Sequence, residues 1–175
     1  VRDATGRTGP AGCRTCAIGA KLVGMSIDLR DADYHDTVST ALIEEVQQEY
    51  VVRYGGRDET PVADGEFAPP TGAFVGVRVD GDPVACGGVR RHDDDTAEIK
   101  RMYVRAANRG NGIGRQLLAA LERRARDLGY GRAVLETGTA QPEAMALYAG
   151  AGYHPIAPYG HHRCSPQSRC FAKDL

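Results

Sequence analysis

The spacing of apolar positions along this chain switches between the period of a strand and that of a helix. Ile27 and Leu29 share one face of Ser26–Arg30, which predicts a first strand. Val38, Leu42, Val46 and Tyr50 then recur every four residues within Asp33–Arg53, the stripe of an amphipathic helix. Gly55–Pro70 is polar and rich in Gly and Pro and reads as a long loop. Gly72–Val79 and Pro83–Arg91 are strands joined by Asp80-Gly81-Asp82, whose Asp-Gly pair signals a hairpin. A tight turn at Asp93-Asp94-Asp95 leads into a third long strand, Thr96–Val104. To this point the pattern is an antiparallel meander.

After a loop at Arg105–Asn111, Gly112–Leu128 carries Ile113, Leu117, Leu121 and Leu128 along one helical stripe. Glu122 and Arg126 are expected to pair on its outer face, and Gly129 ends it. Arg132–Thr137 is a short apolar strand suited to the middle of a sheet. Gln141–Ala151 is a helix with Pro142 in its first turn and Gly152 beyond its end. Tyr153–Ala157 and Cys170–Lys173 close the chain as strands. The sum is an α/β fold, antiparallel first and gaining a strand–helix–strand crossover later.

Composition narrows the function classes. With 22 Lys+Arg against 23 Asp+Glu the net charge is −1, so nothing draws the whole protein to nucleic acid or a membrane surface. No apolar run approaches the roughly 18 residues of a spanning helix. Val1–Gly24 holds five glycines and few large apolar residues, which predicts a mobile arm; the change of character at Met25 suggests a natural start there. The five cysteines, Cys13, Cys16, Cys86, Cys164 and Cys170, are an odd set behind no apolar leader, so a reduced, cytoplasmic protein is expected. Cys13-x-x-Cys16, with His161, His162, Cys164 and Cys170 as partners, admits a metal reading. The motif lacks the second CxxC of a zinc ribbon and the strand–helix setting of a redox site, so free thiols and no metal are expected.

The 22 glycines, nearly twice the usual ~7%, point to chemistry at one place. Arg109-Gly110-Asn111-Gly112-Ile113-Gly114 lies between a strand and a helix. Glycines there let backbone amides approach a phosphate at a helix N-terminus. A dinucleotide fingerprint would need glycine where Arg115 stands, and a Walker A loop would need G-K-[ST].

Arg109, Gly112 and Gly114 fill the Q/R-x-x-G-x-G/A motif, and here the chain resembles the GNAT acyl-CoA-dependent N-acyltransferases. Glu98–Val104 is similar to the strand before that motif, and Ala144-Met145-Ala146-Leu147-Tyr148 with Gly152-Tyr153 is similar to the family's last helix. The resemblance covers about Ser26 to the C-terminus, which is expected to form one N-acetyltransferase domain, 25–175, with a mixed, splayed central sheet flanked by helices. It implies acetyl-CoA as cosubstrate, held by the backbone of Met102, Tyr103 and Val104 and by Arg109, Gly110, Asn111, Gly112, Ile113, Gly114 and Arg115. Gln141 stands where many members carry Asn and supplies a further polar contact.

Acyl transfer to an amine needs a base, an oxyanion donor and an acid for the leaving thiolate. By resemblance these are Glu98, the Met102 amide and Tyr148. Glu98 shares nominal strand parity with Met102 and Val104; its bland alternative is a charge paired with Lys100 or an arginine. Cys86 lies in another strand and gives no case for an acyl-cysteine. The acceptor walls are expected from Tyr50–Pro70 and Pro155–Arg169, where His161 and His162 read as an exposed loop pair. Mixed charge there leaves small amines, amino acids and protein amines open as acceptors. A homodimer stays open as well, and the competing function is a non-catalytic acyl-CoA-binding regulatory module.

Overall fold

The computed structural model describes residues 25–175. The arm expected at 1–24, with Cys13 and Cys16, lies outside them. The elements are β1 (Ile27–Asp31), α1 (Thr37–Tyr54), β2 (Ala73–Val79), β3 (Asp82–Arg91), β4 (Thr96–Val104), α2 (Ile113–Asp127), β5 (Arg132–Gly138), α3 (Pro142–Gly150), β6 (His154–Ile156) and β7 (Ser168–Asp174). The sheet runs β1-β2-β3-β4-β5-β7-β6. β4 and β5 are its parallel pair, joined through α2 as the crossover. The mixed α/β architecture anticipated above is present.

Local chemistry explains most boundaries. At the hairpin between β2 and β3, Asp80 and Gly81 both take positive φ (51° and 90°), the twist that a two-residue turn needs. α1 starts four residues later than its stripe suggested. Asp36 is its N-cap and accepts a 2.7 Å bond from Ser39 N. Two apolar clusters sandwich the sheet. Leu117, Leu118 and Leu121 of α2 pack with Val75, Val77, Val89 and Ile99, and Leu147 and Tyr148 of α3 join them. On the opposite face Leu42 of α1 meets Phe67, Phe74 and Cys86.

One surface expectation fails. Glu122 is buried at 6% exposure, not on an outer face, and Lys173 of β7 donates to both its oxygens at 2.9 and 3.0 Å. The expected i,i+4 partner Arg126 is present as well, at 4.0 Å. The helix stripe is wider than its leucines, because the sheet brings a cation to that side.

Candidate active site

β4 and β5 pair only from Thr96 to Ile99 and from Arg132 to Leu135. Beyond that point β4 stays with β3 as far as Val104, and β5 stays with β7 as far as Gly138. The strands therefore part at Lys100 and Glu136. Among the described residues, the edge of Lys100–Val104 turned toward β5 has no strand partner. A cleft of about 310 Å³ opens in the gap. Ile99, Met102, Thr137 and Tyr148 line it from the face of α2 and α3. Tyr50, Tyr54, Asp58, Lys100, Arg101, Glu136 and His162 line it from the face of α1 and its following loop.

A bulge sets which β4 side chains go where. Lys100 pairs with Gly88 and Tyr103 with Cys86, so Arg101 and Met102 both stand opposite Gly87. Arg101 takes the extra residue's left-handed backbone at φ 57°. The slip reverses the parity expected from sequence. Met102 and Val104 pack on the α2 side, whereas Glu98 bonds Arg90 and Tyr103 reaches Glu45 of α1 on the other. Glu98 is 4% exposed and does not line the cleft. Its carboxylate accepts 2.8 Å contacts from Arg90, which also holds Glu66 at 2.7 Å. Lys100 Nζ sits between Glu98 and Glu136 at 3.6 and 3.8 Å, and Ser168 donates to Glu136 at 2.6 Å.

Tyr148 and Met102 both line the cleft. Burial pushes the Tyr148 phenol up to about 12, so it stays protonated at any working pH. Burial, then the nearby Asp58 charge, raises Tyr50 as well. Gln141 precedes α3, and its Oε1 accepts from Tyr54 Oη (3.1 Å) and Thr137 Oγ1 (3.2 Å).

The glycine loop lies at the start of α2. Gly110 and Gly112 hold φ of 78° and 75°, and a Cβ on either would meet nothing within 4 Å. Gly112 caps the helix without a side-chain bond, and the first helical bond shown is Gln116 N to Gly112 O, at 3.1 Å. The amides of Ile113, Gly114 and Arg115 thus precede the helical ladder, as an anion cradle requires. Gly114 serves packing: a Cβ there would lie 3.4 Å from Leu147 Cδ2 and 3.9 Å from Met102 Cε, which links the loop to the cleft. The Arg109 side chain is occupied elsewhere. It donates to Val104 O at 2.8 Å and Glu49 at 2.5 Å and lies over the Tyr103 ring, tying the loop to β4 and α1. Asn111 Nδ2 donates to Asn108 O at 3.3 Å, and Arg115 reaches toward Gly150 of α3.

His162 is not the bystander its loop setting suggested. Its Nε2 lies 3.0 Å from Asp58 Oδ1, across 104 positions of sequence. Thr60 donates its N–H (2.9 Å) and Oγ1 (2.5 Å) to the same carboxylate, and Arg101 Nη1 stands 3.1 Å from Oδ2. Burial opposes ionisation of Asp58, but these hydrogen bonds and the Arg101 and Lys100 charges outweigh it and hold its pKa below the usual carboxylate range. No spacing rule links Asp58 to His162; the only signal was that both loops were expected to wall the acceptor site. His161 stacks edge-on to His162, with ring centroids 4.8 Å apart. Among the described residues no cysteine lines the cleft, and no group of His, Cys, Asp or Glu is arranged to hold a metal.

The chain and its fold have counterparts among known proteins. The model of the Acetyltransferase (GNAT) family matches residues 39–153. The chain belongs to this GNAT family. This GNAT protein is 36% identical over 110 residues to the IAA acetyltransferase of Azospirillum brasilense, covering 62% of this chain and 72% of that one. A crystal structure of an acyl-CoA N-acyltransferase from Klebsiella pneumoniae superposes with a TM-score of 0.71 at 30% identity, covering 85% of this chain and 97% of that chain. A GNAT family acetyltransferase from Elizabethkingia anophelis, solved with acetyl-CoA bound, has the same fold at 16% identity, with a TM-score of 0.62 over 85% of this chain and 98% of that one. This GNAT member is therefore an acyl-CoA-dependent N-acyltransferase.

Proposed function

We propose that the protein transfers an acetyl group from acetyl-CoA to a primary amine by direct attack in a ternary complex. The observation that carries this reading is the parting of β4 and β5, which exposes an unpaired strand edge beside Met102 and Tyr148. An amide-bearing pantetheine arm can pair with that edge as a further strand would. The backbone of Met102, Tyr103 and Val104 would hold the arm, with Gln141 near it. The amides from Arg109 to Arg115 would hold the pyrophosphate. The bound acetyl-CoA of the Elizabethkingia relative supports the choice of cosubstrate.

The Met102 amide would then donate to the oxyanion and the Tyr148 phenol would protonate the leaving sulfur. Because Glu98 is engaged by Arg90, we assign it an indirect part: it holds Lys100 at the cleft. Direct attack is favoured because no cysteine lines the cleft among the described residues, and burial pushes the Cys86 thiol up to about 12. Steady-state rates of thiol release with acetyl-CoA and an amine panel test this. Intersecting double-reciprocal lines are expected; parallel lines would indicate an acyl-enzyme instead.

A further inference from the structure

We infer that His162 is the general base that deprotonates the acceptor, and that Asp58 positions it. This rests on the acetyl-transfer reading above. Asp58 is ionised and accepts, so the His162 Nε2 at 3.0 Å carries its hydrogen. In that tautomer the ring nitrogen left without a hydrogen is Nδ1, on a side chain that lines the cleft. Asp58 is itself fixed by Thr60 and Arg101, so the ring is oriented from behind.

The charges around the ring leave Asp58 as its direct partner. From the loop after α1 come Arg57, bonded to Glu44 at 2.7 Å, and Asp58. β4 brings Lys100, between Glu98 and Glu136, and Arg101, beside Asp58. β5 brings Glu136, α1 brings the neutral phenols Tyr50 and Tyr54, and His161 is the ring's own neighbour. Arg57 and Lys100 lie against other carboxylates, and Arg101 shares Asp58 with the ring. Asp58 is the carboxylate in direct contact with the His162 ring.

The proton inventory closes. The acceptor ammonium gives one proton to His162 Nδ1, and the freed electron pair forms the C–N bond at the acetyl carbonyl. The C–S bond breaks, and the sulfur takes the Tyr148 proton. The second N–H proton, lost as the amide forms, restores the phenol, and His162 releases its proton to water.

Thiol release from acetyl-CoA is to be measured against pH with benzylamine, glycine amide and L-lysine, for the parent, His162→Gln and Asp58→Asn. His162→Gln should lose about 100-fold in kcat and the acid limb of the pH–rate profile, with acetyl-CoA affinity kept. Imidazole should partly rescue His162→Gly. Asp58→Asn should lower kcat with the KM for acetyl-CoA kept, because the ring loses the acceptor that orients it. Nitrogen-15 spectra of the parent should show the Nε2–H tautomer. An Nδ1–H tautomer, or a His162→Gln enzyme with the parent's rate and acid limb, overturns the assignment. A lower rate with the acid limb unmoved makes the ring a structural pin and overturns it too. A parent whose Tm is unmoved by millimolar acetyl-CoA and that releases no thiol with any of these amines sinks the acetyl-transfer reading itself, an outcome visible before any variant is made.

Discussion

Tyr148 is a neutral phenol in an apolar setting, 7% exposed, with Tyr153 and Phe171 rings about it. Tyr148→Phe removes only the hydroxyl, so acetyl-CoA affinity should hold while kcat falls about 100-fold. Full turnover with chemistry rate-limiting would make it a packing residue. Asp58 adds a pH dependence to stability. Its folded pKa lies below the unfolded value near 3.9, so the folded protein binds fewer protons in that window. The stability it contributes is present above about pH 4 and is lost as pH falls toward the folded value. Urea melts should therefore show Asp58→Asn less stable than the parent at neutral pH, with the gap closing on acidification. A gap independent of pH would mean that another group carries the linkage. At this scale the place of Tyr148 in α3 was legible because its helix motif is local, whereas the Asp58–His162 contact joins two loops that only the closed sheet brings together.

At the scale of elements, the start of α2 is where the proposed pyrophosphate site meets left-handed backbone. Gly112→Asp has open space for its side chain, so the protein should fold, with a cost of about 1–2 kcal/mol for a left-handed residue. The carboxylate would repel a pyrophosphate, and the rise in melting temperature with acetyl-CoA should vanish. A preserved shift would place the anion elsewhere. Gly114 is a poorer test, since Leu147 fills its surroundings. Strand and helix existence was readable throughout, because period and turn chemistry act within a few residues. The β4 bulge was not. It depends on pairing with Gly87 and Gly88 of β3, and it alone puts Glu98 and Met102 on opposite faces.

For the whole molecule, acetyl-CoA at 100 times its Kd should stabilise the fold by about 2.7 kcal/mol, a rise in Tm of roughly 5–10 °C for a chain of this size. An unchanged Tm across millimolar acetyl-CoA would count against the proposed cosubstrate. Deleting residues 1–24 should leave both Tm and this shift intact, since that composition offers little apolar surface to bury. A marked loss would show that the segment joins the fold.

Sequence alone determined the order of strands and helices along the chain, the Asp-Gly hairpin, and the glycine-rich turn opening α2. Each follows from interactions between residues close in the chain. Tertiary structure decided what local pattern cannot carry. The point where β4 and β5 part depends on where two strands, joined only through a helix, stop sharing hydrogen bonds. The pairing of Glu122 with Lys173 and of Glu98 with Arg90 depends on which cations the packed sheet brings near. The contact of His162 with Asp58 arises because the loops after α1 and before β7 converge on one mouth of that gap.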